Sequence, residues 1–317
     1  MNNSHQAAVI DMGTNTFHLL IVEMNEQGFE TVYKEKVPVK IGKGGINRNT
    51  LADDAIERAM ITLADFKAKI DDRNISEIFA FATSAVRNAV NGQDFVQSVK
   101  DEIGISIKVI SGEEEAELIY RGIKLSGSLN GHKELMMDIG GGSVEFIIGT
   151  EESSLWKQSF EIGGQRLVEK FHHHDPILPE EVSSINAYLE EKLSPLLEAI
   201  EKYQPTGLVG ASGTFDTLTD IYFESLLQCK LTGRHVFQLP KKDYQIIHQD
   251  LISKTREERL AIPGMIPMRV DMIVVASCLI DFILQYVPVP SITCSHYALK
   301  EGAISTLVQK SMEPKSV

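Results

Sequence analysis

Two short segments of the chain carry the same arrangement of an acid, glycines and a hydroxyl. Asp11 is followed by Met12-Gly13-Thr14-Asn15-Thr16, and Asp138 by Ile139-Gly140-Gly141-Gly142-Ser143. Each acid closes an apolar run (Val9-Ile10; Leu135-Met136-Met137), and a second apolar stretch follows each hydroxyl. This is the pattern of strand, tight turn and strand. Backbone N–H groups at such a turn can converge on an anion, and glycine lets a phosphate approach without a Cβ in the way. An aspartate at the strand end can hold Mg²⁺, often through water. Two aligned copies point to two similar half-molecules serving a shared phosphate site.

Other candidate residues cluster around these loops. In Ser111-Gly112-Glu113-Glu114-Glu115, Ser111 and Glu114 fit the start of a helix as a capping box, and acids in a first turn favour the macrodipole. That accounts for Glu113 and Glu114. Glu115 shares a helix face with Leu118 and Ile119, where partial desolvation raises a carboxylate toward the range of a general base. From this segment alone, a rim glutamate half in solvent is the better reading. A hairpin returning from Gly140–Gly142 can bring Glu145 back beside Asp138, and two such oxygens plus phosphate and water suit Mg²⁺. An exposed hairpin charge is the alternative for Glu145. Arg87 is placed at the opening of a helix after Thr83-Ser84, where a cation is slightly unfavourable, so it reads as a phosphate ligand or as a solvated arginine. Gly210, Gly213 and Thr214 in GASGTFDTL join a strand to a helix and form a third anion-loop candidate. His172–His174 point in successive directions and read as a solvated helix end rather than a metal cluster. Arg234-His235 and Lys300 receive no role.

Periodicity supplies the elements that must position these residues. A hairpin is expected over residues 7–24 and a strand over 29–41 interrupted by Pro38. A helix follows over 51–70, where Leu51, Ile56, Met60, Leu63, Phe66 and Ile70 recur at helical spacing. Strands at 78–82 and 106–110 alternate with helices that begin near Ala85 and after Ser111. In the second half a hairpin surrounds the second loop. A strand over 155–162, helices over 164–174 and 179–203, and a strand at 208–210 come next. Helices are then expected over 241–254, 256–262 and 268–286, with a short strand at Ile292-Thr293 and a last helix from Tyr297 to Lys310. This order predicts an α/β protein with mixed sheets and flanking helices. The hinge is placed near Gly122–Gly131.

Composition bounds the function. At 317 residues the chain is comfortable for two domains, and 43% hydrophobic with 24% charged content is ordinary for a globular protein. The net charge of -13, from 31 basic and 44 acidic residues, argues against a DNA-binding face. It also sets a tension with any polyanionic substrate, which local cations must overcome. The apolar stretch Met272–Val287 contains Asp281 and is too short to span a bilayer, so no membrane association is expected. No signal peptide is evident at the N-terminus. Cys229, Cys278 and Cys294 are odd in number, with neither zinc nor redox-pair spacing, and fit buried thiols in a reducing cytoplasm.

Taken together, DMGTNTFHLL (11–20), ATSAVRNA (82–89), SGEEEAELIYRG (111–122), DIGGGSVEF (138–146), GASGTFDTL (210–218) and RVDMIVVA (269–276) resemble the exopolyphosphatase / guanosine pentaphosphate phosphohydrolase family of the actin and sugar-kinase superfamily. The resemblance spans nearly the whole chain. It implies two actin-like (ribonuclease H-like) domains, each a mixed five-stranded sheet with flanking helices, with the active-site cleft between them. Residues 1–124, joined by the closing helix 297–312, would form domain I, and residues 125–296 domain II. It implies a short two-domain form, since longer members add C-terminal helical domains. By the family pattern Glu115 is the catalytic base, and Asp138 and Glu145, with Asp11, are metal ligands for Mg²⁺ or Mn²⁺. Gly13, Asn15, Thr16, Arg87, Gly140, Gly141, Gly142, Ser143, Gly213 and Thr214 would bind phosphate. The implied substrates are inorganic polyphosphate, cut at its end, and guanosine pentaphosphate, cut at its 5′-γ-phosphate. A homodimer is compatible with this picture. Thr14 and Thr16 stand where serine is common, and Lys300 where arginine is usual, which keeps charge but loses a bidentate fork. Two other classes remain open: a sugar or acetate-type kinase on the same fold, and a non-catalytic sensor of guanosine polyphosphates or polyphosphate.

Overall fold

The computed structural model describes residues 5–25, 28–230 and 233–312. The chain forms two compact units, Met1–Glu115 with Lys300–Val317, and Ala116–Leu299. Sequence placed the hinge at 122–131; the units part between Glu115 and Ala116, inside a helix.

In the first unit the apolar runs flanking Gly13 pair as a hairpin. β1 (His5–Met12) and β2 (Phe17–Asn25) are antiparallel, with Asp11 opposite His18. β3 (Gly28–Val37) extends this meander and ends before Pro38, which lacks the N–H a ladder needs. α1 (Asp53–Asp71) buries Leu63, Phe66 and Ile70, the face its periodicity marks. β4 (Glu77–Ala82) lies parallel to β1 and carries the chain into α2 (Ser84–Asn88). α3 (Gly92–Ile103), β5 (Ile107–Val109) and α4 (Gly112–Leu125) follow. The sheet order is β3-β2-β1-β4-β5. The single helix expected from Ala85 is therefore two. Gly92 permits the break, because a Cβ there would meet the Val86 backbone.

The second unit repeats this plan. β6 (Glu134–Ile139), β7 (Val144–Gly149) and β8 (Ser154–Phe160) form an antiparallel meander around the second loop. Helices α5 (Gly164–Phe171), α6 (Pro179–Lys192) and α7 (Ser194–Tyr203) come next. The one helix expected over 179–203 divides at Leu193, because Pro195 cannot donate into the preceding turn and instead opens α7. β9 (Gly207–Ala211) leads directly into α8 (Ser212–Ile221), which continues as a π turn over Tyr222–Leu226. The remaining elements are β10 (Val236–Pro240), α9 (Lys241–Ser253), α10 (Arg256–Leu260), α11 (Met272–Tyr286) and β11 (Ser291–Ser295). The closing helix α12 (Leu299–Met312) starts at the return to the first unit.

The second sheet runs β8-β7-β6-β9-β11-β10. Its first five strands reproduce the order of the first sheet, antiparallel at β8-β7-β6 and parallel at β6-β9-β11. The sixth, β10, was not expected. It is an edge strand of five residues ending in proline, too short for its alternation to stand out. α11 is buried along most of its length; Asp281 takes a partly exposed position on it. Among the described residues, no helix is long and apolar enough to cross a membrane.

Candidate active site

The two acid–glycine loops close in the same way. Gly13 N–H donates to the Thr16 carbonyl at 3.1 Å, and Gly140 N–H to the Ser143 carbonyl at 3.0 Å. The segment after each meander then captures the loop's carbonyls at equivalent positions. In the first unit, Gly42 N–H reaches the Thr14 carbonyl at 3.1 Å and Lys40 N–H the Asn15 carbonyl at 2.9 Å. In the second, Gln165 N–H reaches Gly141 at 2.8 Å and Gly163 N–H reaches Gly142 at 3.1 Å. Gly164 N–H adds a bond to the Gly140 carbonyl at 2.8 Å.

These bonds orient the loops. In a planar trans peptide the N–H points opposite to the C=O. With the carbonyls of Gly140, Gly141 and Gly142 turned toward α5, the N–H groups of Gly141, Gly142 and Ser143 point away from it. The same reasoning directs Asn15 and Thr16 N–H away from the 40–42 segment. Each loop thus presents a short row of backbone donors, an anion-binding arrangement. Arg166, buried at the start of α5, reinforces the second loop by donating from Nε to the Gly142 carbonyl at 2.9 Å. Sequence gave Arg166 no role; it stands out only once the loop carbonyl it holds is known.

Asp138 and Glu145 face each other directly across β6 and β7. Cross-strand partners project on one side of a sheet, and both carboxylates are buried, 6% and 2% exposed. Glu145 Oε1 accepts from Ser159 Oγ at 2.7 Å, which fixes its orientation. The hairpin therefore brings together the two acids that sequence reading paired. Buried like charges in register are unfavourable unless a cation joins them. The donor set is hard oxygen only, which fits Mg²⁺ or Mn²⁺ supplemented by water and phosphate. Among the described residues, no group of three or more His, Cys, Asp or Glu is arranged to hold a metal. Asp11 occupies the matching position at the end of β1 in the first unit and is buried.

Glu115 lies in the first turn of α4 and is 5% exposed, as its apolar helix face requires. It is not merely desolvated. Arg87 Nη1 donates to Glu115 Oε2 at 2.7 Å and to the Ile110 carbonyl at 3.2 Å. Arg87 itself does not open a helix. It lies in the last turn of the five-residue α2, where a cation is favourable, so the dipole argument for its function does not apply. What marks it is the partner it meets. Ser111 Oγ accepts from Glu114 N–H at 3.1 Å, the expected cap, and Glu114 pairs with Lys108.

The third loop holds a further cation. A Cβ on Gly213 would lie 2.7 Å from Arg269 Cζ, so the guanidinium rests against this glycine. Burial pulls Arg269 down from its ordinary value, while Asp216 and Asp138 hold it up. Arg269 has no role legible in the sequence, because 56 positions separate it from Gly213 along the chain. Gly210 instead makes room for the Phe215 ring, and Thr214 is buried beside it on α8.

Of the three histidines, His173 and His174 are exposed, and His174 Nδ1 lies 3.0 Å from Glu181. His172 departs from the expected solvated end: its ring is buried near Asp175 and the fully buried Arg259. Burial and Arg259 push it below its ordinary value. Lys300 lies 4.0 Å from Glu301, and Arg234 is exposed.

The chain is similar to known proteins over most of its length. The sequence profile described as the Ppx/GppA phosphatase family matches residues 20–311. Exopolyphosphatase 2 of Mycobacterium tuberculosis is 31% identical over 277 residues, covering 84% of this chain and 86% of that protein. The crystal structure of an exopolyphosphatase from Cytophaga hutchinsonii superposes with a TM-score of 0.93 at 44% identity, covering 96% of this chain and 98% of the other. The Aquifex aeolicus Ppx/GppA family member gives a TM-score of 0.81 at 25% identity, over 98% and 100% of the two chains.

Proposed function

The chain belongs to the Ppx/GppA phosphatase family, and from that premise we propose that it hydrolyses the terminal phosphoanhydride of inorganic polyphosphate, and that guanosine pentaphosphate, cut at its 5′-γ-phosphate, is a second substrate. The reading is carried by one observation: a buried carboxylate, Glu115, in contact with a guanidinium, Arg87, suited to phosphate. Glu115 orients the attacking water and takes its proton. The water oxygen forms a bond to the terminal phosphorus as the bridging P–O bond breaks. The electron pair leaves on the oxygen of the shortened chain, and orthophosphate is released. Donor rows at Asn15 and Thr16 and at Gly141, Gly142 and Ser143 hold the phosphate oxygens, with Arg87 and the Gly213–Thr214 turn beside Arg269; Gly13 and Gly140, expected among the donors, instead spend their N–H groups closing the loops. Asp138 and Glu145 are the proposed ligands of Mg²⁺ or Mn²⁺, with Asp11, which joins them in no three-ligand group among the described residues, acting through water. The ion, when bound, neutralises charge on the terminal phosphates.

Two of the three cysteines are buried thiols pushed up to about 12 by burial, which fits a reducing compartment, and the cytoplasm is the proposed location. The test is orthophosphate release from polyphosphate and from guanosine pentaphosphate at matched concentrations, with and without Mg²⁺. Metal-dependent release from polyphosphate is the expected result. Phosphate transfer from ATP to a sugar or acetate, or tight binding of either polyanion with no release, would replace this reading with the kinase or the sensor.

A further inference from the structure

Arg87 is engaged on its Nη1 by two protein acceptors. One is the Ile110 carbonyl, fixed at the end of β5 because Ile110 N–H donates to the Ala82 carbonyl at 3.1 Å. The other is Glu115 Oε2, at 2.7 Å, with the arginine and glutamate side chains only 16% and 7% exposed. A nitrogen of this kind carries two hydrogens, and these two acceptors use both. The contact is therefore a charge-assisted bond in a dry place, the strong kind.

Such a contact conflicts with the roles of both partners. A carboxylate held by a guanidinium is stabilised as the anion and is a poor proton acceptor. A guanidinium nitrogen turned to a carboxylate is not turned to phosphate. For Glu115 to act as a base, the Nη1 contact must therefore open. Resting on the proposed hydrolase reading, we propose that the terminal phosphate takes Arg87 from Glu115, so that substrate binding itself releases the base. In the free enzyme Arg87 is a positioning residue: it fixes Glu115 against the β5–α4 corner and keeps it weakly basic. When a phosphate of higher charge enters, the guanidinium exchanges partners. Glu115 is left buried beside the water, with its affinity for a proton restored.

The exchange predicts an affinity pattern that a fixed Arg87 does not. Part of the binding energy for phosphate is consumed in separating Arg87 from Glu115, so removing the glutamate charge should return it. The probe is a methylene-bridged triphosphate, which cannot be cut, titrated calorimetrically with Mg²⁺ present. Glu115→Gln should bind it about tenfold more tightly than the unaltered protein, a coupling of the size expected for residues in contact. In an Arg87→Gln background the same Glu115→Gln change should have little effect, because nothing remains to be exchanged. If Glu115→Gln tightens binding equally in both backgrounds, simple loss of a negative charge explains it and the exchange is wrong. Unchanged affinity in the first background also overturns it.

Arg87→Gln alone leaves Glu115 unpaired and can fail to fold, so a second measurement avoids arginine variants. Infrared difference spectra of ¹³C-glutamate protein, referenced to Glu115→Gln, should show the Glu115 carboxylate band move when the analogue is added. A stationary band overturns the proposal. Turnover separates the two readings: Glu115→Gln retaining activity within a few-fold removes the base assignment itself. Lost turnover with unchanged analogue affinity keeps the base and removes only the exchange.

Discussion

Asp138 and Glu145 show how a single pair of residues links register to chemistry. They are opposite each other only because the loop between β6 and β7 is four residues long and closes through Gly140 and Ser143. Each adds negative charge beside the other; Arg269, which Asp138 helps to hold up toward its ordinary value, meets part of it, and the proposed metal ion would meet the rest. Asp138→Asn removes one of two neighbouring like charges but also a partner of Arg269, so its melting temperature in EDTA should stay close to that of the unaltered protein. It should gain less from Mg²⁺ in a melting experiment and need a higher Mg²⁺ concentration for half-maximal phosphate release. Superimposable Mg²⁺ titrations of the two proteins would remove Asp138 from the metal site. Glu113→Gln is a control for Glu115: exposed in the first turn, it should cost no more than about 1 kcal/mol of stability and little activity. Glu115→Gln should lower kcat by roughly 10²–10⁴-fold, the range for a lost general base. This pair of acids was legible in sequence because hairpin geometry is local. The Arg87–Glu115 and Gly213–Arg269 contacts were not, since 28 and 56 positions separate the partners along the chain and periodicity says nothing about such contacts.

At the scale of elements, the start of α5 is the part that fixes the second loop. Gly163, Gly164 and Gln165 spend their N–H groups on loop carbonyls rather than leaving them to solvent or a capping side chain. A Cβ on Gly163 would lie 2.5 Å from the backbone of Gly141 and Gly142, so no larger residue fits without moving the loop. Gly163→Ala should cost about 1–3 kcal/mol, the usual range for overpacking. It should also lower phosphate release by more than that stability loss explains, because the displaced atoms belong to the donor row. A variant that melts lower but keeps full kcat would separate the loop from the chemistry. The far end of α5 makes a different prediction. His172, buried against Arg259 with Asp175, Glu181 and Asp271 nearby, has a folded value below its unfolded one. The unfolded chain then binds the proton more readily, so this contribution to stability is complete above about pH 6.5 and is lost as pH falls from there toward the folded value. Melting temperatures from pH 8 to 5 should fall less steeply in His172→Gln; parallel curves would show that the ring does not titrate against the fold. Sequence reading missed this histidine because three in a row suggested solvent. Burial is decided by α10 and the turn before α11, which lie more than 80 positions away.

For the whole molecule, the internal repeat was legible from two ten-residue segments, and it proved deeper than they indicated. Strand order, loop closure and the donors that capture the loop carbonyls all recur. The supporting bonds could not be read in advance, because in one half they come from an irregular segment, Lys40–Gly42, and in the other from a helix start. The net charge, by contrast, was fully legible and has a consequence for the proposed substrate. At -13 the protein repels a polyanion at long range, while the cations that attract it act locally. Screening falls unequally on the two. The Debye length shortens from about 30 Å at 0.01 M salt to about 10 Å at 0.1 M, which removes repulsion from distant surface acids before it weakens contacts at hydrogen-bond distance. Added potassium chloride should therefore raise kcat/KM for polyphosphate over this range, provided free Mg²⁺ is held constant, because salt also competes for metal bound to the substrate. The rise should be steeper for long chains than for tripolyphosphate, since more of a long chain lies outside the site and over acidic surface. A steady fall with salt for both lengths would mean that a basic surface, rather than the summed charge, governs the approach of the chain.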